Sequence, residues 1–135
     1  MAGYSSTPLA KKLGIKAGSK VKLINAPAYY FDLFTDLPAD VAISSDRKGV
    51  DLVHFFTKDA AELHKLLPKL KTEIKPRGAI WVSWPKKSSK VVTDVTENEI
   101  RDRALETGLV DIKVCAVDEV WSGLKLVIPV KDRKP

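Results

Sequence analysis

The sequence predicts an α/β protein, built on a mostly parallel sheet of about six strands with helices on both faces and an antiparallel hairpin at its end. First, the apolar segment 50–56 is typical of a parallel strand that is buried on both faces. Second, strand-like segments alternate with helix-like segments along most of the chain. Third, the turn 118–121 between the last two apolar segments is too short for a crossover, so those two strands should pair antiparallel.

The first third of the chain is predicted to form a helix, a strand and a second helix. Thr7 is expected to cap the first helix, with Pro8 at its first position and Gly14 at its end. A strand is expected at 20–24. Pro27 is expected to start the second helix, because the aromatic residues that follow it recur at helical spacing. A short strand is expected at 41–44, and residues 1–6 are expected to be a loose end.

Two later helices carry capping signals. Asp59 with Glu62, and Thr96 with Glu99, have the spacing of capping boxes, in which each side chain of the pair satisfies an amide of the first helical turn. Gly108 is expected to end the second of these helices, since glycine readily takes the left-handed conformation of a helix terminus.

Proline and glycine also predict boundaries in the second half. Pro68 should kink or restart the helix that begins near residue 59, because it lacks an amide proton and clashes with the preceding turn. The segment 76–78 is expected to turn the chain into a strand at 79–84. The last two strands are expected at 111–117 and 122–130.

The composition is that of an ordinary globular protein. The 135 residues fit one domain, expected to span 1–135, with 44% hydrophobic and 30% charged residues. Cys115 is the single cysteine and lies in an apolar segment, so we expect a buried, inert thiol and a reducing compartment. No apolar run reaches the length of a signal peptide or a membrane span, which predicts a cytoplasmic protein that does not bind membranes.

The net charge of +6 is unevenly distributed. Five lysines and no acid precede residue 32, eight basic residues lie between 64 and 90, and eight acids lie between 93 and 121. A solvated basic face explains this pattern without a partner, and a protein-interaction surface is an alternative explanation. Nucleic-acid binding has little support, because arginine is scarce in the basic segments and aromatic residues do not alternate with the lysines.

Several segments resemble S-adenosylmethionine-dependent methyltransferases, which have a Rossmann-like three-layer fold. The segments are Ile15-Lys16-Ala17-Gly18-Ser19-Lys20-Val21-Lys22-Leu23, Val50-Asp51-Leu52-Val53, Lys75-Pro76-Arg77-Gly78-Ala79-Ile80 and Gly108-Leu109-Val110. This resemblance implies a methyltransferase-type fold. A closer similarity is to a small family of bacterial proteins that share a domain of unknown function, carried by residues 3–14, 84–87 and 114–125. That similarity implies membership of the family and brings no activity with it.

The chain departs from the methyltransferase pattern where the cofactor would bind. The resemblance implies a glycine-rich loop after the first strand, but the segment 25–29 has no glycine and contains Pro27. The acid implied after the second strand is replaced by Ser44-Ser45, with Asp46 a weak substitute. About one strand–helix unit is also missing before Val50. We therefore expect no cofactor, and S-adenosylmethionine in particular is not expected to bind in the usual manner.

Ligands of open α/β sheets bind at the carboxyl ends of the strands, which locates the candidate site. Two tryptophans and two lysines fall there beside an acidic turn, and they either form a ligand pocket or pair with one another. Asp94, before the last helix, either meets the ligand or caps that helix together with Thr96. The candidate residues are Trp84, Lys86, Lys87, Asp94, Asp118, Glu119, Trp121 and Asn25.

Known catalytic and metal-binding patterns are missing. His54 alternates with apolar residues and is expected to be a hydrogen-bonded core histidine, whereas His64 should lie near solvent. Their spacing does not suggest a metal site, and no nucleophile or phosphate-loop motif occurs. The leading hypothesis is a non-catalytic domain that binds a small anionic or nucleotide-like ligand, or a protein partner. The alternatives are a divergent methyltransferase or other transferase, and an interaction module that uses the basic face.

Overall fold

The protein is built on one six-stranded sheet, and the computed structural model describes residues 7–134. The predicted loose end, residues 1–6, lies outside the described residues. The helices are α1 Leu9–Leu13, α2 Ala60–Glu73 and α3 Glu97–Thr107. The strands are β1 Lys20–Ile24, β2 Ala42–Ile43, β3 Val50–Phe56, β4 Ile74–Pro85, β5 Val110–Ala116 and β6 Trp121–Val127.

The strand order is β2-β1-β3-β4-β6-β5, which confirms the predicted fold class. The first four strands in that order are parallel, and β6 runs antiparallel to both β4 and β5. The short strand β2, whose pairing the sequence left open, lies parallel to β1 at one edge of the sheet. Because β5 runs in the same direction as β4, the β5–β6 turn lies at the edge where the parallel strands end.

Helices cover both faces, and each face has its own core. On one face, α2 and α3 pack on the central strands, and Leu67, Ile80 and Ile100 are fully buried there. On the other face, α1 and the segment that follows β1 pack around Trp81. The indole Nε1 of Trp81 donates a hydrogen bond to the carbonyl oxygen of Leu13 at 2.9 Å, which fixes α1 on the sheet. Within residues 7–134, no helix is both long enough and apolar enough to span a membrane.

Each predicted capping box is half formed. Asp59 accepts from the amide of Ala61, and Thr96 accepts from the amide of Glu99. The reciprocal contacts are missing, because the carboxylates of Glu62 and Glu99 bind other side chains. α2 does not restart at Pro68 but continues through it, since one lost hydrogen bond is outweighed by burial of the leucines on its inner side.

Two predictions near the amino terminus are corrected. Pro8, rather than Thr7, occupies the capping position of α1, and the side chain of Asp36 accepts from the amides of Ala10 and Lys11 instead. The predicted second helix is only a 3-10 helix, Tyr30–Leu33. Packing of Tyr30 on the sheet, where its exposure falls to 2%, overrides the helical periodicity of the aromatic residues.

The predicted turn at 76–78 is part of a strand. β4 begins at Ile74 directly after α2, and its pairing with β3 shifts register between Val50 and Leu52. A Cβ atom on Gly78 would lie 3.0 Å from the carbonyl oxygen of Asp51, so glycine permits the close approach of the two strands there. The last strand also ends earlier than predicted, at Val127 rather than residue 130.

Candidate functional site

The β5–β6 turn meets the end of β4 at the carboxyl edge of the sheet. Pro85 lies opposite Trp121, and the amide of Lys86 donates to the carbonyl oxygen of Val120 at 2.7 Å. The structure therefore brings the segment after β4 and the turn 117–120 together, as the sequence predicts.

The two tryptophans nevertheless do not share a pocket. Trp84 lies opposite Ser122 in the β4–β6 ladder, so Trp121, one residue earlier, points to the other face of the sheet. Trp84 belongs to the core under α2 and α3, whereas Trp121 packs against the core under α1. Both sequence interpretations, a pocket with two aromatic walls and direct packing of the two rings, are corrected by this alternation.

The acidic turn contributes to the fold on the Trp121 side. One carboxylate oxygen of Asp118 accepts from the amides of Val120 and Trp121, and the other accepts from the hydroxyl of Tyr29 at 2.8 Å. The ring of Trp121 packs edge-on against Phe56, with centroids 5.1 Å apart. Asp118 thus closes the turn and attaches it to the segment after β1.

The predicted pairing of Lys87 with the acidic turn is not seen among the described residues. Among residues 7–134, Lys87 forms no ion pair with Asp118 or Glu119, and Glu119 is exposed at the tip of the turn. The charge of Lys87 is therefore not neutralised by this turn.

A groove of about 600 Å³ lies on the Trp84 side of the edge, and we call it the tryptophan groove. Trp84, which is 8% exposed, lines it from the sheet. Lysines from the segment after β4 form the rim, and the first residues of α3 with the loop before it form the far wall. The lining residues are Trp84, Pro85, Lys86, Lys87, Lys90, Val91, Val92, Thr93, Val95, Thr96, Glu97 and Ser122.

The tryptophan groove is electropositive. Three lysines line it against one carboxylate, that of Glu97, which is bound to Arg101 at 2.5 Å. In the described part of the chain, Lys87 and Lys90 have no acidic partner. The half-buried hydroxyl of Ser122 also makes no hydrogen bond to the described residues, so it is available to a ligand.

Asp94 lies beyond the groove and caps α2 rather than α3. Its Oδ1 accepts from the amide of Ala60 at 2.7 Å, while the hydroxyl of Thr93 donates to the carbonyl oxygen of Lys58 at 2.8 Å. These bonds attach the loop before α3 to the start of α2. The expected capping of α3 by Asp94 is therefore wrong, and Thr96 caps that helix without it.

Asn25 lies at the end of β1, away from the tryptophan groove. Its φ of 57° is left-handed, a conformation that asparagine tolerates better than most residues. Its Nδ2 donates to the carbonyl oxygen of Phe56 and to the carboxylate of Glu62, both at 3.0 Å. The side chain of Asn25 thus bridges the ends of β1 and β3 and the first turn of α2.

His54 is a hydrogen-bonded core histidine, as predicted. Its ring is fully buried between Tyr30, at 3.0 Å from Nδ1, and Ser83, at 2.8 Å from Nε2. Burial lowers the pKa of His54 to about 3 and raises that of Tyr30. A neutral imidazole donates through one nitrogen and accepts through the other, so this network is satisfied without charge. His64 is exposed, as expected, and contacts Glu99 at 2.5 Å.

A match to the family described as "Protein of unknown function (DUF3052)" extends over residues 32–130. The chain belongs to this family. The matched range contains β2 to β6 and the whole tryptophan groove, and it excludes α1 and β1. No protein of curated function matches the sequence.

Solved structures similar to this DUF3052 protein include several methyltransferases. A putative type 11 methyltransferase from Sulfolobus solfataricus has a TM-score of 0.65 at 13% identity, over 94% of this chain and 93% of its own. A putative methyltransferase from Thermoplasma acidophilum has a TM-score of 0.58 at 9% identity, over 93% and 76%. The ribosomal protein L11 methylase of Lactobacillus delbrueckii has a TM-score of 0.57 at 12% identity, over 87% and 73%. These similarities show a methyltransferase-like fold.

Sequence reasoning on this DUF3052 protein missed part of the groove. Ser122, Lys90 and the valines at 91 and 92 were not among the candidates, although Val92 is 91% exposed at the groove. Ser122 could have been found from the hairpin register, since it lies directly opposite Trp84. Lys90 and the valines carried no motif, and only the folding of 86–96 around the end of β4 brings them to the site.

Proposed function

We propose that this protein is a non-catalytic domain with a methyltransferase-like fold that binds a small anionic, nucleotide-like ligand in the tryptophan groove. The observation that supports this most directly is that Lys86, Lys87 and Lys90 line one groove with Trp84 at the carboxyl end of the sheet. Ligands of α/β proteins bind at this edge, and lysine is a common partner of phosphate as a point charge.

The surroundings of the groove support a ligand with an apolar ring and an anionic group. The edge of Trp84 and the exposed valines at 91 and 92 offer apolar contact, whereas the lysines and the Ser122 hydroxyl offer donors. A volume of about 600 Å³ is sufficient for a mononucleotide. No nucleophile paired with a base lines the groove, which favours binding over catalysis.

Two contacts elsewhere at this edge support the expectation that S-adenosylmethionine does not bind in the usual manner. The glycine-rich loop of methyltransferases would follow β1. At that position in this protein, the side chain of Asn25 bridges Phe56 and Glu62. Asp46, the substitute for the ribose-binding acid, is bound to Lys20 at 2.8 Å. Both contacts support the proposal that the usual cofactor cradle has been replaced by direct side-chain bonds.

A thermal-shift panel of adenosine, cytidine, guanosine and uridine monophosphates, followed by titration calorimetry, tests the proposal. We expect at least one nucleotide to raise the melting temperature, because a ligand of the native state stabilises it by mass action. The double variant Lys87→Glu/Lys90→Glu should lose this binding. Lys65→Glu/Lys69→Glu, on the exposed side of α2, makes the same change in net charge and should retain it. Equal affinity in the two double variants would reject the groove as the site.

The second candidate is a divergent methyltransferase, favoured by the similarity of the whole fold to methyltransferase structures. Calorimetric titration with S-adenosylmethionine and S-adenosylhomocysteine separates the two functions. We expect no heat of binding from either compound. Micromolar binding of either one would replace the proposed function by this candidate.

A further inference from the structure

Four lysines gather on the opposite face of the sheet from the tryptophan groove. Lys113 of β5 and Lys125 of β6 lie directly opposite each other in the antiparallel ladder. Lys12 of α1 and Lys16, just after α1, lie beside them: Lys12 lines a cavity together with Lys113, and the charge of Lys16 acts on Lys125. We call these four residues the lysine cluster.

The lysine cluster is electrostatically unfavourable in the protein without a ligand. Like charges directly opposite each other on paired strands are destabilising. Lys125 is also half-buried: burial lowers its pKa, and the charges of Lys113 and Lys16 lower it further. The Nζ of Lys125 lies 3.6 Å from the position that a Cβ on Gly14 would occupy. The end of α1 therefore restricts movement of this ammonium group away from Lys113.

Acids of the neighbouring elements do not neutralise the cluster. α1, β4 and β6 contain no acidic residue, and Asp111 of β5 is bound to Arg101 at 2.9 Å. The carboxylate of Asp36, which lies beside the start of α1, accepts hydrogen bonds from two backbone amides of that helix. The carboxylate of Asp118 accepts from the Tyr29 hydroxyl and from amides of its own turn. None of the ion pairs among residues 7–134 involves a lysine of the cluster.

A cavity of about 510 Å³ lies beside these charges, between α1 and β5. Lys12 of α1 and Lys113 of β5 both line it, together with Cys115, Ala116 and Ser122. The Nζ of Lys12 has only one hydrogen bond to the described residues, to the carbonyl oxygen of Ala116 at 3.3 Å, so it retains donors for a ligand. The volume falls in the range of small-molecule sites.

We propose that the lysine cluster is a second binding site, for a small ligand that carries two linked phosphate groups. Two linked phosphate groups offer more negative charge to these lysines than a single phosphate does. Lysine binds phosphate as a point charge, and there is no arginine here to impose bidentate geometry. The lysines that define this site differ from those of the tryptophan groove, although Ser122 lines both cavities.

Calorimetric titration of the whole protein with inorganic pyrophosphate tests this site. We expect pyrophosphate to bind, and Lys113→Gln to weaken its affinity by about tenfold or more, because one charge-assisted contact is lost. Lys69→Gln, on the exposed side of α2 and outside both proposed sites, should leave the pyrophosphate affinity unchanged. Lys113 is exposed, so its replacement should not impair folding.

Two further measurements separate a built site from general charge screening. Sodium sulfate at matched ionic strength should raise the melting temperature less than pyrophosphate does. Without ligand, Lys113→Gln should melt above the wild-type protein, because the repulsion across the β5–β6 pair is relieved.

The proposal is overturned if wild-type protein does not bind pyrophosphate, if Lys113→Gln binds it equally well, if sulfate is equally effective, or if the unliganded variant melts no higher. Nucleotide binding that depends on Lys87 and Lys90 could still be found, so the two proposals can fail separately.

Discussion

Acidification gives a direct test of the buried network of His54, Tyr30 and Ser83. In the folded protein, burial lowers the pKa of His54 from 6.5 to about 3. Between these values the unfolded chain binds a proton that the native protein does not bind. Stability from this residue is therefore complete above pH 6.5 and is lost as the pH falls towards 3.

The magnitude follows from the same two values. At pH 5 the unfolded state is almost fully protonated at His54 and the native state is not, which costs about 2 kcal/mol of stability relative to pH 7. Asp46 and Asp51 have pKa values below the ordinary 3.8 of aspartate, so they remain charged throughout this interval. We therefore attribute most of the loss between pH 7 and pH 5 to His54.

Urea denaturation at the two pH values measures this loss. His54→Gln cannot titrate but keeps an amide donor and acceptor, so it should be less stable at pH 7 and show a much smaller loss at pH 5. His64→Gln, which alters the exposed histidine beside Glu99, is the matched control and should retain the loss. The reasoning is refuted if His54→Gln loses as much stability as wild type, or if NMR shows the folded imidazole titrating near 6.5.

Three further substitutions test the structural roles of particular residues. Asp94→Ala should cost about 1 kcal/mol in urea denaturation, because the amide of Ala60 loses its cap. Gly123→Ala should lower the melting temperature, since the new Cβ would lie 3.1 Å from the fully buried ring of Trp81. Asn25→Ala should be less stable than Asn25→Gly by about 1 kcal/mol, because alanine is strained at a φ of 57°.

Each of these results has an outcome that would contradict it. Asp102→Ala, on the exposed side of α3, controls for the loss of an exposed carboxylate: equal costs in Asp94→Ala and Asp102→Ala would exclude the cap. An unchanged melting temperature in Gly123→Ala would mean that the core around Trp81 can move aside. Equal stability of the two Asn25 variants would mean that the end of β1 relaxes out of the left-handed conformation.

Local signals in the sequence were sufficient for most of the fold. The apolar segment 50–56 matches β3, and the glycines at 14 and 108 end α1 and α3 with left-handed φ values. These signals work because strand burial and helix termination depend on a few neighbouring residues. The 3-10 helix Tyr30–Leu33 was predicted wrongly as an α-helix, since its conformation depends on the contact of Tyr30 with His54.

The sequence predicted the edge at which the parallel strands end, but not which side chains meet there. Of the predicted residues, only Trp84, Lys86 and Lys87 line the tryptophan groove. Asp118 and Trp121 belong to the other face, while Asn25 and Asp94 bond to the ends of other elements. Their ligand-binding roles stay predictions, as does the absence of a cofactor.

The sequence by itself determined the α/β class, the position of the hairpin and the edge at which the strands end, because periodicity and turn length are local properties. Only the tertiary structure decided which side chains share a face there. In a strand, consecutive residues point in opposite directions, so the register Trp84 to Ser122 sends Trp121 to the far side. The same register places Lys113 against Lys125, a pair separated by a hairpin that no motif connects.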